Sequence, residues 1–175
     1  MTNQNDRNID WESQKYSTII EHILNNHHSL IKKELPEIEK LVYTIFKVHF
    51  EDSGDVLEKV HRLFGQLKTI LEVHIIKEER ALFYMIMDYE KEPSKELLED
   101  IIRGIESIEG DNREVELTVK RIREVTNDYL IPPTGCPTYV NTYDKLKELE
   151  TDLLQHVDIE NNILFNRLKK EANKE

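Results

Sequence analysis

The sequence predicts an all-α protein, an antiparallel up-down-up-down four-helix bundle over residues 13–170, and three observations carry that reading. Glycine and proline are scarce, five of each in 175 residues, and six of the ten gather at three places: Asp52-Ser53-Gly54, Glu92-Pro93-Ser94 and Ile131 to Pro137. The four segments between these breaks each repeat apolar residues every three and four positions, the period of an amphipathic helix. The connections are short, which makes successive helices antiparallel neighbours. A chain of this length needs no second hydrophobic core, so one domain is expected.

The segments start near Ser13, Asp55, Ser94 and Thr138. In the first, Leu24, His28, Ile31, Leu35, Ile38, Val42, Ile45 and His49 share a face, and Pro36 allows a kink or a restart. Val60, Leu67, Leu71, His74, Glu78, Ala81 and Met85 form the second stripe. The third is Ile101, Ile105, Ile108, Asn112, Val115, Val119 and Ile122; the fourth is Leu146, Leu149, Leu153, His156, Glu160, Ile163 and Arg167. Residues 1–12 are expected to form a flexible N-terminus and 171–175 a frayed C-terminus.

Composition narrows the function classes. Hydrophobic residues make up 38% and charged residues 34%, and the net charge of −11 repels a phosphate backbone or an anionic lipid surface. No nucleic acid and no membrane partner is therefore expected. The longest apolar run, Ala81 to Met87, is far too short to span a bilayer, and Met1 to Asp10 lacks an apolar signal region, so a cytoplasmic location is expected. A single cysteine, Cys136, excludes an intrachain disulfide and a cluster held by cysteines of this chain alone.

The chemistry is concentrated in an internal echo. His74-Ile-Ile-Lys-Glu78 with Leu82-Phe83 and His156-Val-Asp-Ile-Glu160 with Leu164-Phe165 are two copies of H-x3-E-x3-L-F. Residues four apart stand above one another on a helix, so each copy presents an imidazole and a carboxylate to one point in the interior. A lone ionised glutamate on an apolar stripe carries a severe desolvation cost, which a cation offsets. Counted from turn midpoints near residues 51, 92 and 134, His28, His74, Asn112 and His156 each lie about 20 residues from the adjoining turns, which places them in one layer. The competing reading is an interhelical polar network. A buried histidine taken alone is more often a hydrogen-bonded core residue than a ligand, and periodicity does not choose between His27 and His28.

Other candidates carry less. His49 is on the first stripe but roughly 30 Å from His28 along a straight helix, which suits a structural or supporting role. Glu58 and His61 form an unrepeated E-x-x-H pair on a charged, solvated face, and His22 falls at solvent or a helix seam. Cys136, with no histidine beside it in sequence, reads as a cap of its turn rather than a nucleophile.

At these residues the chain resembles the hemerythrin-like di-iron proteins, and among them the repair-of-iron-centres family. The resemblance runs from Ile19 to His28, with Glu34 to Glu37 and Lys47-Val-His49, through His74 to Glu79 and Leu82-Phe83, to Pro132-Pro133, Cys136 and His156 to Phe165. It implies two non-haem, carboxylate-bridged iron ions, with His28, His74 and His156 as terminal ligands and Glu78 and Glu160 bridging; it selects His28 over His27. One position departs: Asp111-Asn112 stands where the family places its third-helix histidine. An amide oxygen is a poor donor to ferric iron, which puts the second iron in question, and Asp111 or Glu116 could compensate. Tyr84 and Asn166 replace the family's usual proline after Leu-Phe.

The resemblance implies repair or protection of iron–sulfur clusters under oxidative or nitrosative stress, by iron donation or nitric-oxide handling rather than conventional turnover. Iron–sulfur proteins are the implied clients, nitric oxide and oxygen the implied ligands, and a monomer or weak dimer is expected. The rivals are an oxygen- or nitric-oxide-sensing module and a metal-depleted helical interaction protein.

Overall fold

The computed structural model describes residues 10–174. A short 3-10 turn, Trp11–Ser13, precedes four long helical rods, and the described residues contain no strand. The first rod is α1, Tyr16–His22, a π-turn, Ile23–His28, and α2, Ser29–Val48. The second is α3, Phe50–Lys77, a π-turn, Glu78–Leu82, and α4, Phe83–Lys91. The third is α5, Lys95–Val125, without a π-turn. The fourth is α6, Pro137–Asp158, a π-turn, Ile159–Phe165, and α7, Asn166–Ala172.

Two of the three expected breaks fall where glycine and proline place them. Ser94 caps α5, its hydroxyl accepting from the Leu97 amide at 3.3 Å. The third connection spans residues 126–136. The first break moves: the chain turns at His49 (φ −108°, ψ 27°), and Asp52-Ser53-Gly54 lie inside α3. Glu51 and Asp52 in the first turn favour this earlier start, because carboxylates are stabilised at the positive end of a helix. Pro36 neither breaks nor restarts α2; it sits on the exposed face, so the Lys32 carbonyl that loses its donor can turn to water.

The π-turns change which residues face inward. In the first two, the Ser29 amide bonds back to the Leu24 carbonyl and the Phe83 amide to the Glu78 carbonyl, each spanning five residues instead of four. The extra residue rotates the stripe by one position. Leu82 and Phe83 are buried where Ala81 is exposed and Met85 only half-buried, and Leu164, Phe165 and Leu168 are buried where Ile163 and Arg167 are half-buried. At the start of the first π-turn, Ile23 rather than Leu24 is buried. In α5, which has no such turn, all seven expected stripe residues are buried.

Residues 1–9 of the expected flexible N-terminus lie outside the described residues. Within residues 10–12, Trp11 is buried, and Arg167 donates to the carbonyls of Trp11 (3.1 Å) and Gln14 (2.7 Å). At the other end, expected to fray, α7 runs to Ala172, and Glu171 accepts from Tyr16 (2.5 Å) and Tyr89 (3.0 Å).

The apolar residues form two clusters. One collects Ile31 to Ile45, Leu57 to Ile75, Val115 to Tyr129 and Tyr139 to Leu153; the other collects Trp11 to Ile23, Leu82 to Tyr89, Leu98 to Ile108 and Ile159 to Leu168. All four rods contribute to both, so every rod passes through the layer between them.

The connection after α5 is held from within. Asn127, Asp128 and Tyr129 are left-handed, with φ of 49°, 61° and 58°. Asparagine and aspartate tolerate that region; tyrosine does so at a cost. Tyr129 is secured by its amide donating to Thr126 Oγ1 at 3.0 Å and its buried hydroxyl donating to Glu150 at 2.8 Å. Tyr129→Phe is expected to cost about 1–2 kcal/mol in urea unfolding at pH 7, because a buried carboxylate loses a donor. Burial, and then Glu150, pushes the Tyr129 hydroxyl well above the ordinary tyrosine range. A raised folded value means that this contribution is intact below the unfolded value of about 10 and fades as pH rises beyond it, so parent and variant should converge in strongly alkaline solution.

Candidate metal centre

The layer between the two clusters is where the polar interruptions meet. His28, Glu78, Asn112 and Glu160 are fully buried there, and His74 and His156 are each 1% exposed. The π-turns supply His28, Glu78 and Glu160; α3 supplies His74, α6 His156 and α5 Asn112.

One ligand atom from each of His28, Glu78, His156 and Glu160 lies within 4.8 Å of the others, a grouping that could hold a metal ion. His28 Nε2 is 3.1 Å and His74 Nε2 3.2 Å from Glu78 Oε2, and His74 Nε2 is 3.9 Å from Glu160 Oε2. The five residues singled out from the sequence are thus side by side. His156 Nε2 approaches Glu160 Oε1 to 2.5 Å without the alignment of a hydrogen bond, so neither atom has a hydrogen-bond partner. Glu78 Oε1, His74 Nδ1 and Asn112 Oδ1 are buried and unpartnered too. Buried polar atoms are costly unless satisfied, and imidazole with carboxylate is a donor set suited to iron, zinc or manganese. The residues present fit a metal.

The electrostatics of the layer point the same way. Burial, followed by the neighbouring Glu160, pushes the Glu78 carboxyl well above its ordinary value. Burial pushes Glu160 up as well, but His156, His74 and the Asn112 amide outweigh it and hold that carboxyl low. Burial, with His156 adding to it, lowers the His28 imidazole to about 4. Burial also lowers His74. Neutral imidazoles beside carboxylates are the form in which these groups donate to a cation.

Asn112 occupies the third-rod position and serves the carboxylate rather than the centre of the cluster. Its Nδ2 donates to Glu160 Oε2 and to Asn161 Oδ1, both at 3.1 Å. Neither proposed substitute joins it: Glu116 is exposed, and Asp111 accepts from Lys77 at 2.8 Å.

Sequence reasoning missed the groups behind the histidines. Glu79 accepts from His28 Nδ1 at 2.9 Å and is itself held by Lys32 at 2.7 Å. Asp111 lies 3.9 Å from His74 Nδ1, beyond hydrogen-bond reach, so of the two only Glu79 bonds a ligand ring. A carboxylate on the far ring nitrogen fixes the tautomer and orientation of a ligating histidine. His27 is buried alongside His28, but its Nδ1 meets Asp152 at 2.9 Å and its ring stacks on His156 at 5.2 Å. The only sequence signal for these partners is an acidic residue within a turn of a histidine or glutamate of the motif or of Asn112, a feature too common to read. Glu58 and His61 are exposed as expected.

A bundle with a buried histidine–carboxylate layer defines a class of helical metal-binding proteins. The model of the hemerythrin HHE cation binding domain matches residues 19–168, and the chain belongs to that family. It is 30% identical over 158 residues to the iron-sulfur cluster repair protein YtfE of Escherichia coli O81 (strain ED1a), covering 90% of this chain and 68% of the relative. The proteins of the same name from Escherichia fergusonii and Escherichia coli O127:H6 match equally. The resemblance read from the two H-x3-E motifs is borne out. No helix among the described residues is long and apolar enough to cross a membrane.

Proposed function

We propose that this chain holds two carboxylate-bridged non-haem iron ions and acts in the repair or protection of iron–sulfur clusters, by iron donation or nitric-oxide handling. The observation that carries the reading is the convergence of four buried ligand atoms within 4.8 Å, with His74 beside them, in a polar layer between two apolar clusters. His28, His74 and His156 are the terminal ligands and Glu78 and Glu160 the bridges. When bound, the irons supply redox chemistry toward small ligands such as nitric oxide or oxygen. Glu79 holds the His28 imidazole in orientation, and the surrounding isoleucine, leucine and phenylalanine side chains exclude water. A surface groove of about 840 Å³ is lined by His27 and Asp152 and by none of the five ligands.

The finer features of this reading are an up-down-up-down arrangement of the four rods, supported by the short connections, and iron–sulfur proteins as clients, supported by the names of the relatives. A cytoplasmic monomer or weak dimer completes it. The test is the iron content of anaerobically purified parent and Asn112→His proteins. The expected result is two irons per chain in both proteins; one iron in the parent, rising to two in Asn112→His, would mean that the amide costs this chain its second iron. Iron-free protein in both would overturn the reading.

A further inference from the structure

The second cluster of chemically capable side chains lies far from the metal layer. Cys136 and His49, 87 residues apart in sequence, meet with His49 Nε2 3.3 Å from the sulfur. The opposite ring nitrogen, Nδ1, faces Asp52 Oδ2 at 3.5 Å. The series cysteine, imidazole, carboxylate is assembled from the N-cap of α6, the turn at His49 and the first turn of α3. His49 is only 7% exposed, its ring packed edge-on against Tyr139 at 5.2 Å, while Cys136 is half-buried. Along α2 the pair stands roughly 30 Å from His28, outside any direct influence of the metal layer.

We propose that Cys136 is a reactive thiolate and a site of reversible modification by peroxide followed by a low-molecular-weight thiol. His49 acts as the positioning residue that holds the thiolate, and Asp52 orients His49. The sulfur attacks one peroxide oxygen; the O–O bond breaks, an S–O bond forms and hydroxide leaves. An external thiol then attacks the sulfenic sulfur, forming the S–S bond while the oxygen departs as water with the thiol's proton. Peroxide accepts the two electrons that the two sulfurs give up. With one cysteine in the sequence, the second thiol comes from outside the chain.

The polar groups that face the sulfur outweigh its partial burial, which acts the other way. His49 first, then the first-turn amides of Tyr139 and Thr138, lower the Cys136 thiol to about 7. Those amides face the sulfur at the positive end of α6. The thiol in turn, ahead of Asp52, raises His49. At pH 7 such a thiol is about half ionised, against roughly 3% for an ordinary one, and the weaker nucleophilicity of a low-pKa thiolate reduces that advantage to about fourfold.

The experiment follows iodoacetamide alkylation of Cys136 in the full-length protein against pH, by mass spectrometry, for parent and His49→Gln. The expected midpoint is near 7 in the parent and at least one unit higher in the variant, with a roughly three- to fivefold slower reaction at pH 7. Hydrogen peroxide with free cysteine should add one cysteine, less two hydrogens, at Cys136. A parent midpoint at or above the ordinary thiol value overturns the proposal. So does an unchanged midpoint in a helical His49→Gln protein, or failure to form the mixed disulfide. The inference is independent of iron: Glu160→Ala should keep the parent's alkylation midpoint.

Discussion

Glu160→Ala protein, purified without oxygen, is expected to carry almost no iron while remaining helical. Glu160 reaches three rods at once: His156 at 2.5 Å on its own rod, His74 at 3.9 Å on the second and Asn112 at 3.1 Å on the third. Burial works against the charge on its carboxylate, but His156, His74 and the Asn112 amide outweigh burial and hold the group low, ready to meet a cation. Removing it deletes a bridge, leaves the Asn112 amide short of an acceptor and returns the cost of cation desolvation in full. Elemental analysis beside far-ultraviolet circular dichroism separates loss of metal from loss of fold. Iron at the parent's level in a folded variant would remove the carboxylate from the ligand set.

Phe165→Ala is expected to cost about 3–5 kcal/mol, the range for truncating a buried phenylalanine. That is a large share of the roughly 5–15 kcal/mol that holds a domain together. Phe165 and its neighbour Leu164 are both fully buried, which a regular helix does not readily do with consecutive residues on a narrow stripe. The π-turn over Ile159–Phe165 turns both inward, into the apolar cluster that closes one side of the metal layer. The fall should appear as a lower urea midpoint, and a larger loss in iron-loaded than in iron-free protein would show that this wall also supports the centre. An unchanged midpoint would mean that the cluster closes over the gap.

The legibility of the helices follows from how regular they are. In α5 the three-and-four spacing from Ile101 to Ile122 holds without interruption, and every residue read from it is buried. In the second and fourth rods the same spacing fails just beyond the ligands: Leu82 and Leu168 take the buried positions that the spacing assigns to Ala81 and Arg167, because a periodic reading assumes 3.6 residues per turn and the π-turns use more. The shift occurs next to the functional residues, where an inserted residue re-aims a side chain. The break near residue 50 was misplaced for a related reason. Asp52-Ser53-Gly54 carries turn-forming residues, but acidic side chains also suit a first helical turn, and composition does not distinguish the two.

What the sequence determined by itself is the all-helical class, the single polar layer and the repeated histidine–glutamate pairs, since each depends on spacings of a few residues or on equal counts from a turn. What only the tertiary structure decided is which groups stand behind them. Glu79 reaches His28 across 51 residues, Asp152 reaches His27 across 125, and Cys136 meets His49 across 87. A periodic stripe reports the face a residue occupies on its own helix. Which side chain faces it from another rod depends on axial offset and rotation between helices, quantities set by the packing of two apolar clusters and carried by no local pattern.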